Sequence, residues 1–207
     1  MTHARAVVEA TDLPVSADLE NGFGHEPSAA AKTVQRAAEA GLVGCSIEGF
    51  SGDPDLGFYD PDSPVARIAA SADAARAVGF AFTLTGRSEN LIRGNPDLDD
   101  TIAHLKAYEA AGADVLMAPG LPDIAAVKTV CDALSKPFNF MVGIPGKSFT
   151  VAELAGAGVK RISLATSLYR AAMSGVVAAA TEAKENGTFS SVDSSMPTPE
   201  FAGYMRG

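Results

Sequence analysis

One pattern governs what this chain can fold into. A short apolar or β-branched run, a turn and an alanine-rich amphipathic stretch recur six times. The runs are 13–19 (LPVSADL), 43–49 (VGCSIEG), 80–86 (FAFTLTG), 114–118 (DVLMA), 138–143 (FNFMVG) and 161–165 (RISLA). Between and after them, apolar spacing predicts helices over 27–40, 63–78, 97–111, 121–134, 150–157 and 167–186. Gly41, Gly79, Gly112 and Gly158 stand where a left-handed helix end is wanted. Pro27 and Pro96 stand where a helix can begin. Six such units with short connections require a parallel sheet covered by helices. The runs read as mostly apolar on both faces, as covered parallel strands should. The period is structural, roughly 30 residues, without the self-similar sequence of a solenoid.

A doubly wound sheet would carry G-x-G-x-x-G after its first strand, and ENGFGHEP (20–27) does not supply it. Polar residues gather instead at strand ends: Asp18, Glu20, Glu48, Arg87, Glu89 and Asn139. A (β/α)8 barrel collects such residues around one mouth, but a closed barrel needs eight strands and about 250 residues. This chain has 207 residues and only twelve before the first strand. The expected fold class is therefore α/β: an incomplete (β/α)8 barrel of the TIM type, one domain over 1–189. Residues 190–207, rich in Ser and Pro, read as a loose tail with a short helix at 198–205.

At 47% hydrophobic residues the chain can bury a substantial core. A net charge of -9 without a Lys/Arg cluster argues against nucleic acid and anionic membranes as partners. Two cysteines, Cys45 and Cys131, make no disulfide framework and suit a reducing compartment. The first twelve residues lack an apolar leader, and no segment approaches the roughly 20 apolar residues of a membrane span. A cytoplasmic protein is expected.

The acids carry the chemistry. Strand residues i and i+2 share a face, so Asp18 and Glu20 are expected to point together into the mouth, with Glu48 ending the next strand. Each alone reads equally well as a solvated strand end or helix cap. Three at neighbouring strand ends make a hard oxygen site suited to Mg²⁺, with Mn²⁺ as the alternative. Arg87 can grip a carboxylate or phosphate bidentately, or pair with Glu48 or Glu89, and the two roles are compatible. Asn139 reads as a partner for a substrate carboxylate or for a buried neighbour.

With these residues the chain resembles the phosphoenolpyruvate mutase/isocitrate lyase superfamily, in its carboxyvinyl-carboxyphosphonate phosphorylmutase-like branch. PVSADLENGFG (14–24) is similar to the family's D-x-D-T-G-Y-G metal strand, placing Asp18 and Glu20 on its two acids. VGCSIEG (43–49) is similar to the I-E-D strand, with Glu48 on the acid and Gly49 where Asp is usual. Segment 84–123, from LTGRSEN to GLPD, resembles the A-R-T-E segment, with Arg87 on the substrate-binding arginine and Gly86 for the usual Ala. RISLATSLYRAA (161–172) resembles the last strand and its helix. The resemblance implies a Mg²⁺-dependent barrel enzyme that makes or breaks C–C or P–C bonds beside a 2-oxo acid, through a pyruvate-like enolate. It implies metal binding by Asp18, Glu20 and Glu48, catalytic roles for Arg87 and Glu48, and substrate binding by Arg87, Glu89 and Asn139. It also implies a small-molecule carboxylate substrate and a homo-oligomer, dimer or tetramer.

Three departures bear on activity. The six strands read as the family's third to eighth, so the Thr/Ser-Ser-x-Gly carboxylate site and the further metal-shell Asp that the resemblance places on the first two strands are expected to be absent. The loop 50–63 (FSGDPDLGFYDPDS) has no Cys, Lys or His where the C–C lyases carry K-K/R-C-G-H. MAPG (117–120) has no His or Ser where the mutases do. Cys45, three residues before Glu48, turns toward the helices as a small core residue. GIPGKS (143–148) is two residues short of a P-loop. His3, His25 and His104 show no ligand spacing; His25 reads as a solvated helix start and His104 as a surface residue. Lys147 remains a mouth candidate. The other readings are an inactive homologue or fragment that needs a partner, and a different Mg²⁺-dependent 2-oxo-acid aldolase.

Overall fold

The computed structural model describes residues 1–205. Before the first strand stands a helix the apolar pattern did not announce, α1 (Thr2–Glu9), which has no fully buried residue. The repeating units follow as β1 (Ser16–Asp18), α2 (Pro27–Glu39), β2 (Gly44–Glu48), α3 (Asp62–Ala77), β3 (Thr83–Arg87), α4 (Leu98–Ala110), β4 (Val115–Met117), α5 (Ile124–Ala133), β5 (Phe138–Met141), α6 (Val151–Gly156) and β6 (Arg161–Ser163). A 3-10 turn, Asn90–Ile92, lies between β3 and α4. The six strands form one parallel sheet in sequence order. This is the incomplete TIM-type barrel expected. The edge strands β1 and β6 are not paired with each other, but the Arg161 guanidinium donates to Ser16 Oγ at 2.9 Å, joining the two edges by side chains.

The helices begin and end for local reasons. Pro27 opens α2 at its first turn. Asp97 caps α4 by accepting from Asp100 N, and Thr150 and Glu153 form a capping box on α6. Gly41, Gly79, Gly112 and Gly158 all adopt positive φ just beyond their helices.

Register shows which strand face is which. One face carries Cys45, Ile47, Leu84, Leu116, Phe138 and Phe140, buried beneath the helices. The other is polar. Its outermost row runs Glu48, Arg87, Met117, Asn139 and Arg161, each paired with the next across the ladder. The expectation of strands apolar on both faces fails here. Only the helix-covered face is apolar, and the inner face is where the polar residues converge. Cys45 lies in the core, 2% exposed, and burial pushes its thiol up to about 12.

The chain divides into two compact units, Met1–Ser163 and a second from Leu164, ahead of the composition change at 190. The second holds α7 (Ser167–Asn186), α8 (Ser191–Ser194) and α9 (Thr198–Tyr204). Gly187, in the left-handed region, ends α7. Glu182 then accepts from Thr188, Ser190 and Ser191, and the hydroxyl and amide donors hold its carboxyl down at about 2. No helix among the described residues is long and apolar enough to cross a membrane.

Candidate active site

The ends of β1, β2 and β3 enclose a cavity of ≈ 300 Å³ lined by Asp18, Glu20, Glu48, Phe50, Gly52, Arg87 and Arg93. Arg87 is its centre. Nη1 donates to Asp18 Oδ2 at 2.5 Å, and Nε donates to Glu89 Oε1 at 2.5 Å and lies 3.8 Å from Glu48 Oε2. Burial opposes the charge on this guanidinium, but Glu89, Asp18 and Glu48 together hold its proton more tightly than usual. Its Nη2, with two N–H groups, has no protein acceptor among the described residues.

Asp18 is organised by three donors. Its Oδ1 accepts from Glu20 N and from Ser46 Oγ, and its Oδ2 from Arg87. The expected pairing of Asp18 and Glu20 on one strand face needs correction. The strand stops at Asp18, and Glu20 stands in the following turn with φ 50°. The Asp18 carboxylate draws the Glu20 amide into that turn, so strand alternation no longer governs where Glu20 points. Glu20 still reaches the cavity wall, and its carbonyl accepts from Glu48 N at 2.8 Å.

Glu89 supports the site from behind. It is 1% exposed and holds Arg87 on one oxygen and Arg93 on the other. Arg93 also lies over the Phe50 ring, 4.5 Å from its centroid. Sequence reading missed Ser46, Phe50 and Arg93. Ser46 was within reach, since it shares a strand face with Glu48. Asn139 lies in the row of Arg87 but is separated from it by Met117 and does not line the cavity. It donates to Ser163 Oγ at 3.0 Å, and its buried Oδ1 has no partner. Lys147 donates to the Gly120 carbonyl. His25 meets the Tyr59 hydroxyl at 3.1 Å. His104 is half-buried rather than a surface residue, because it packs against Tyr108 and lines a separate cavity.

Glu48 is 6% exposed. Its carboxyl is pushed up from 4.5 to about 7, first by burial and then by Glu89, with Arg87 opposing, Asp18 adding and Arg93 opposing. The folded protein therefore keeps a proton between those two values where the unfolded chain has lost it. Stability from this group is full below the unfolded value and is lost as pH rises through about 7. A shift of this size corresponds to about 3 kcal/mol at most, and water at the open side of the cavity screens part of it. In metal-free buffer Glu48→Gln is expected to raise the melting temperature at pH 8 by several degrees and to leave it nearly unchanged at pH 5. An equal gain at both pH values would show that Glu48 titrates normally.

The donor set suits a hard divalent cation. Asp18, Glu20 and Glu48 offer carboxylate oxygens to one cavity. With Glu89 these carboxylates outnumber the guanidiniums of Arg87 and Arg93 even when Glu48 keeps its proton, a negative surplus that a divalent cation would offset. Among the described residues no three His, Cys, Asp or Glu side chains form a ready-made cluster. These side chains therefore do not form a direct three-ligand site, and a hard cation bound here would have to keep several waters, as Mg²⁺ commonly does.

Known proteins share this architecture. A family profile described as phosphoenolpyruvate phosphomutase matches residues 1–184. A solved structure from Burkholderia cenocepacia J2315, assigned to the lyase/mutase class, is 47% identical with a TM-score of 0.94, covering 100% of this chain and 74% of that one. The oxaloacetate decarboxylase of Paraburkholderia xenovorans is 32% identical over 158 residues, 72% of this chain and 50% of its own. A Corynebacterium glutamicum protein named for 2-methylisocitrate lyase is 35% identical over 124 residues, 57% of this chain and 39% of its own. The chain thus spans half or less of the length of these two curated relatives.

Proposed function

The chain belongs to the phosphoenolpyruvate phosphomutase family, and from that premise we propose that it cleaves a C–C bond beside a 2-oxo carboxylate, leaving a pyruvate-like enolate. The observation that carries this reading is Arg87, a buried guanidinium on the cavity wall held by Asp18 and Glu89, whose Nη2 has no protein acceptor among the described residues. A guanidinium fixed in this way binds a substrate carboxylate or a developing enolate oxygen without having to reorganise. Asp18, Glu20 and Glu48 would hold Mg²⁺, or Mn²⁺, largely through water. When bound, that ion would supply Lewis-acid stabilisation of the same oxyanion.

Decarboxylation is the favoured form of the reaction. Breaking the bond to a carboxylate sends its electron pair onto the 2-oxo oxygen as CO₂ leaves. No side chain has to remove a proton first. That matches a loop 50–63 without Cys, Lys or His. The printed name of the Paraburkholderia relative supports the same form. Phosphoryl transfer is disfavoured because β4 is followed by Ala118, Pro119 and Gly120, none with a side chain to assist a phosphoryl group.

Asp18 gives the test. It supplies one oxygen to Arg87 and is the exposed member of that pair, 52% against 10%. The purified chain is incubated with oxaloacetate and Mg²⁺ and pyruvate is measured. Oxalate binding, as the enolate stand-in, is followed by thermal shift. Mg²⁺ and oxalate together are expected to raise the melting temperature. Asp18→Asn is expected to lose the Mg²⁺-dependent part while keeping oxalate binding through Arg87. If wild-type protein shows no pyruvate and no joint Mg²⁺–oxalate stabilisation, the reading fails. A Mg²⁺ requirement that survives Asp18→Asn would place the ion elsewhere.

A further inference from the structure

Tyr108 lies on α4, 2% exposed. Its side chain crosses the ends of β2 and β3 at two glycines. A Cβ on Gly86 would stand 3.1 Å from Tyr108 Cβ and 3.3 Å from Cδ2. A Cβ on Gly49 would fall onto the Tyr108 hydroxyl and lie 3.2 Å from Cζ. Neither glycine has a positive φ. Lack of space, not backbone conformation, therefore keeps both positions bare.

The two glycines bracket the site. Gly49 follows Glu48, Gly86 precedes Arg87, and Glu48 and Arg87 are ladder partners. Gly49 N donates to the Arg87 carbonyl at 2.9 Å. On its other side the Tyr108 ring stacks with His104, 6.3 Å between centroids and 10° between planes. Asn90 lies within 3.2 Å of His104 Nδ1 and donates to Asp100 at 2.8 Å, so a bonded layer backs the ring. Gly49, Asn90, His104 and Tyr108 also line a cavity of ≈ 210 Å³, so the ring is placed by its stack on His104 and its rest on the two bare backbones, and through those contacts its position bears on theirs.

We propose that Tyr108 is a positioning residue: wedged against Gly49 and Gly86, it sets the placement of Glu48 and Arg87 and so the affinity of the cavity for a carboxylate. The link to affinity rests on the functional reading above; the wedge itself does not.

The test is a cycle of variants at 49 and 108, read in three ways. Gly49→Ala drives a methyl into the hydroxyl and is expected to lower the melting temperature by about 5 °C or more. Tyr108→Phe removes that one oxygen, is expected to melt close to wild type, and in combination is expected to restore most of the loss. A harmless Gly49→Ala, or a double variant no better than the single, overturns the wedge. The second readout needs no ligand: the side-chain Nε–H resonance of Arg87 is expected to move in Tyr108→Ala and to stay in Tyr108→Phe. The third is oxalate affinity with Mg²⁺, expected to fall at least tenfold in Tyr108→Ala, measured well below its melting temperature, and to be kept in Tyr108→Phe. An unmoved Arg87 resonance in Tyr108→Ala overturns the positioning role, as does unchanged oxalate affinity. Absence of oxalate binding in wild type would overturn the functional reading alone, since the first two readouts still decide on Tyr108.

Discussion

Replacing Arg87 by alanine is expected to weaken Mg²⁺-dependent oxalate binding by about 10²–10³, with a matching loss of turnover, since one fixed donor to a developing oxyanion is worth that much. The structure adds a second consequence. Glu48 and Glu89 are 6% and 1% exposed, and Arg87 is the cation they share. Removing it leaves buried carboxylates short of a partner, at a cost of about 3–5 kcal/mol. Arg87→Ala could therefore fail by unfolding, so Arg87→Lys is the informative companion. A lysine keeps the charge but not the fork that reaches Asp18 through Nη1 and Glu89 through Nε. It is expected to fold with a lowered melting temperature and to bind oxalate at least tenfold more weakly. Calorimetric titration with oxalate checks both variants. Wild-type affinity in Arg87→Lys would mean that charge alone matters and that the fork is structural.

Much of this site was legible in the sequence because its residues end strands. Asp18, Glu48 and Arg87 lie at the C-terminal ends of three consecutive short apolar runs, and a parallel sheet brings such ends together. Local chemistry decided the rest. Glu20 was read two residues along a strand that stops at Asp18, because a short acid next to a glycine-rich segment can bond to the backbone ahead of it and start a turn. Helix α1 was missed because the only apolar pair in contact with the core is Ala4 and Val8, one helical turn apart and too sparse to show a face. Tyr108, Arg93 and Arg67 were invisible for another reason. Tyr108 meets Gly49 and Gly86, and Arg67 the carbonyls of Asn21 and Gly24, across long sequence separations; Arg93 pairs with Glu89 four residues away but meets Phe50 in the same distant way, and nothing in their own neighbourhoods marks those contacts. Gly49 and Gly86 did stand out as departures from the pattern the sequence resembles. What occupies the space beside them, Tyr108 at both with Ala113 at Gly86 and Pro64 at Gly49, appears only in three dimensions.

Arg67→Leu is the second large effect expected, and it falls on stability first. Arg67 is fully buried on α3, and no carboxylate lies within ion-pair distance of it among the described residues. Burial pushes its guanidinium down, opposed by Tyr59, Glu26 and Tyr108. Its neutral partners are the carbonyls of Gly24, at 2.7 Å, and of His25 and Asn21, with the Tyr59 ring centroid at 4.8 Å. Those carbonyls belong to the turn that begins at Glu20, where φ is positive at Glu20, Gly22 and Phe23. A turn strained at two non-glycine positions persists only when its surroundings hold it, and Arg67 is the chief holder. Leucine would fill part of the volume and leave these part-buried carbonyls short of a donor, at a cost at or below the lower end of the roughly 1–3 kcal/mol for a buried group. The expected result is a loss of about 2–3 kcal/mol in urea unfolding, partly recovered by Arg67→Lys. Where the variant still folds, the Mg²⁺-dependent part of oxalate binding should weaken, because Glu20 loses its turn, while the contribution of Arg87 stays. Unchanged stability in Arg67→Leu would mean that desolvating the guanidinium costs as much as its carbonyl bonds return, and that the Glu20 turn holds itself.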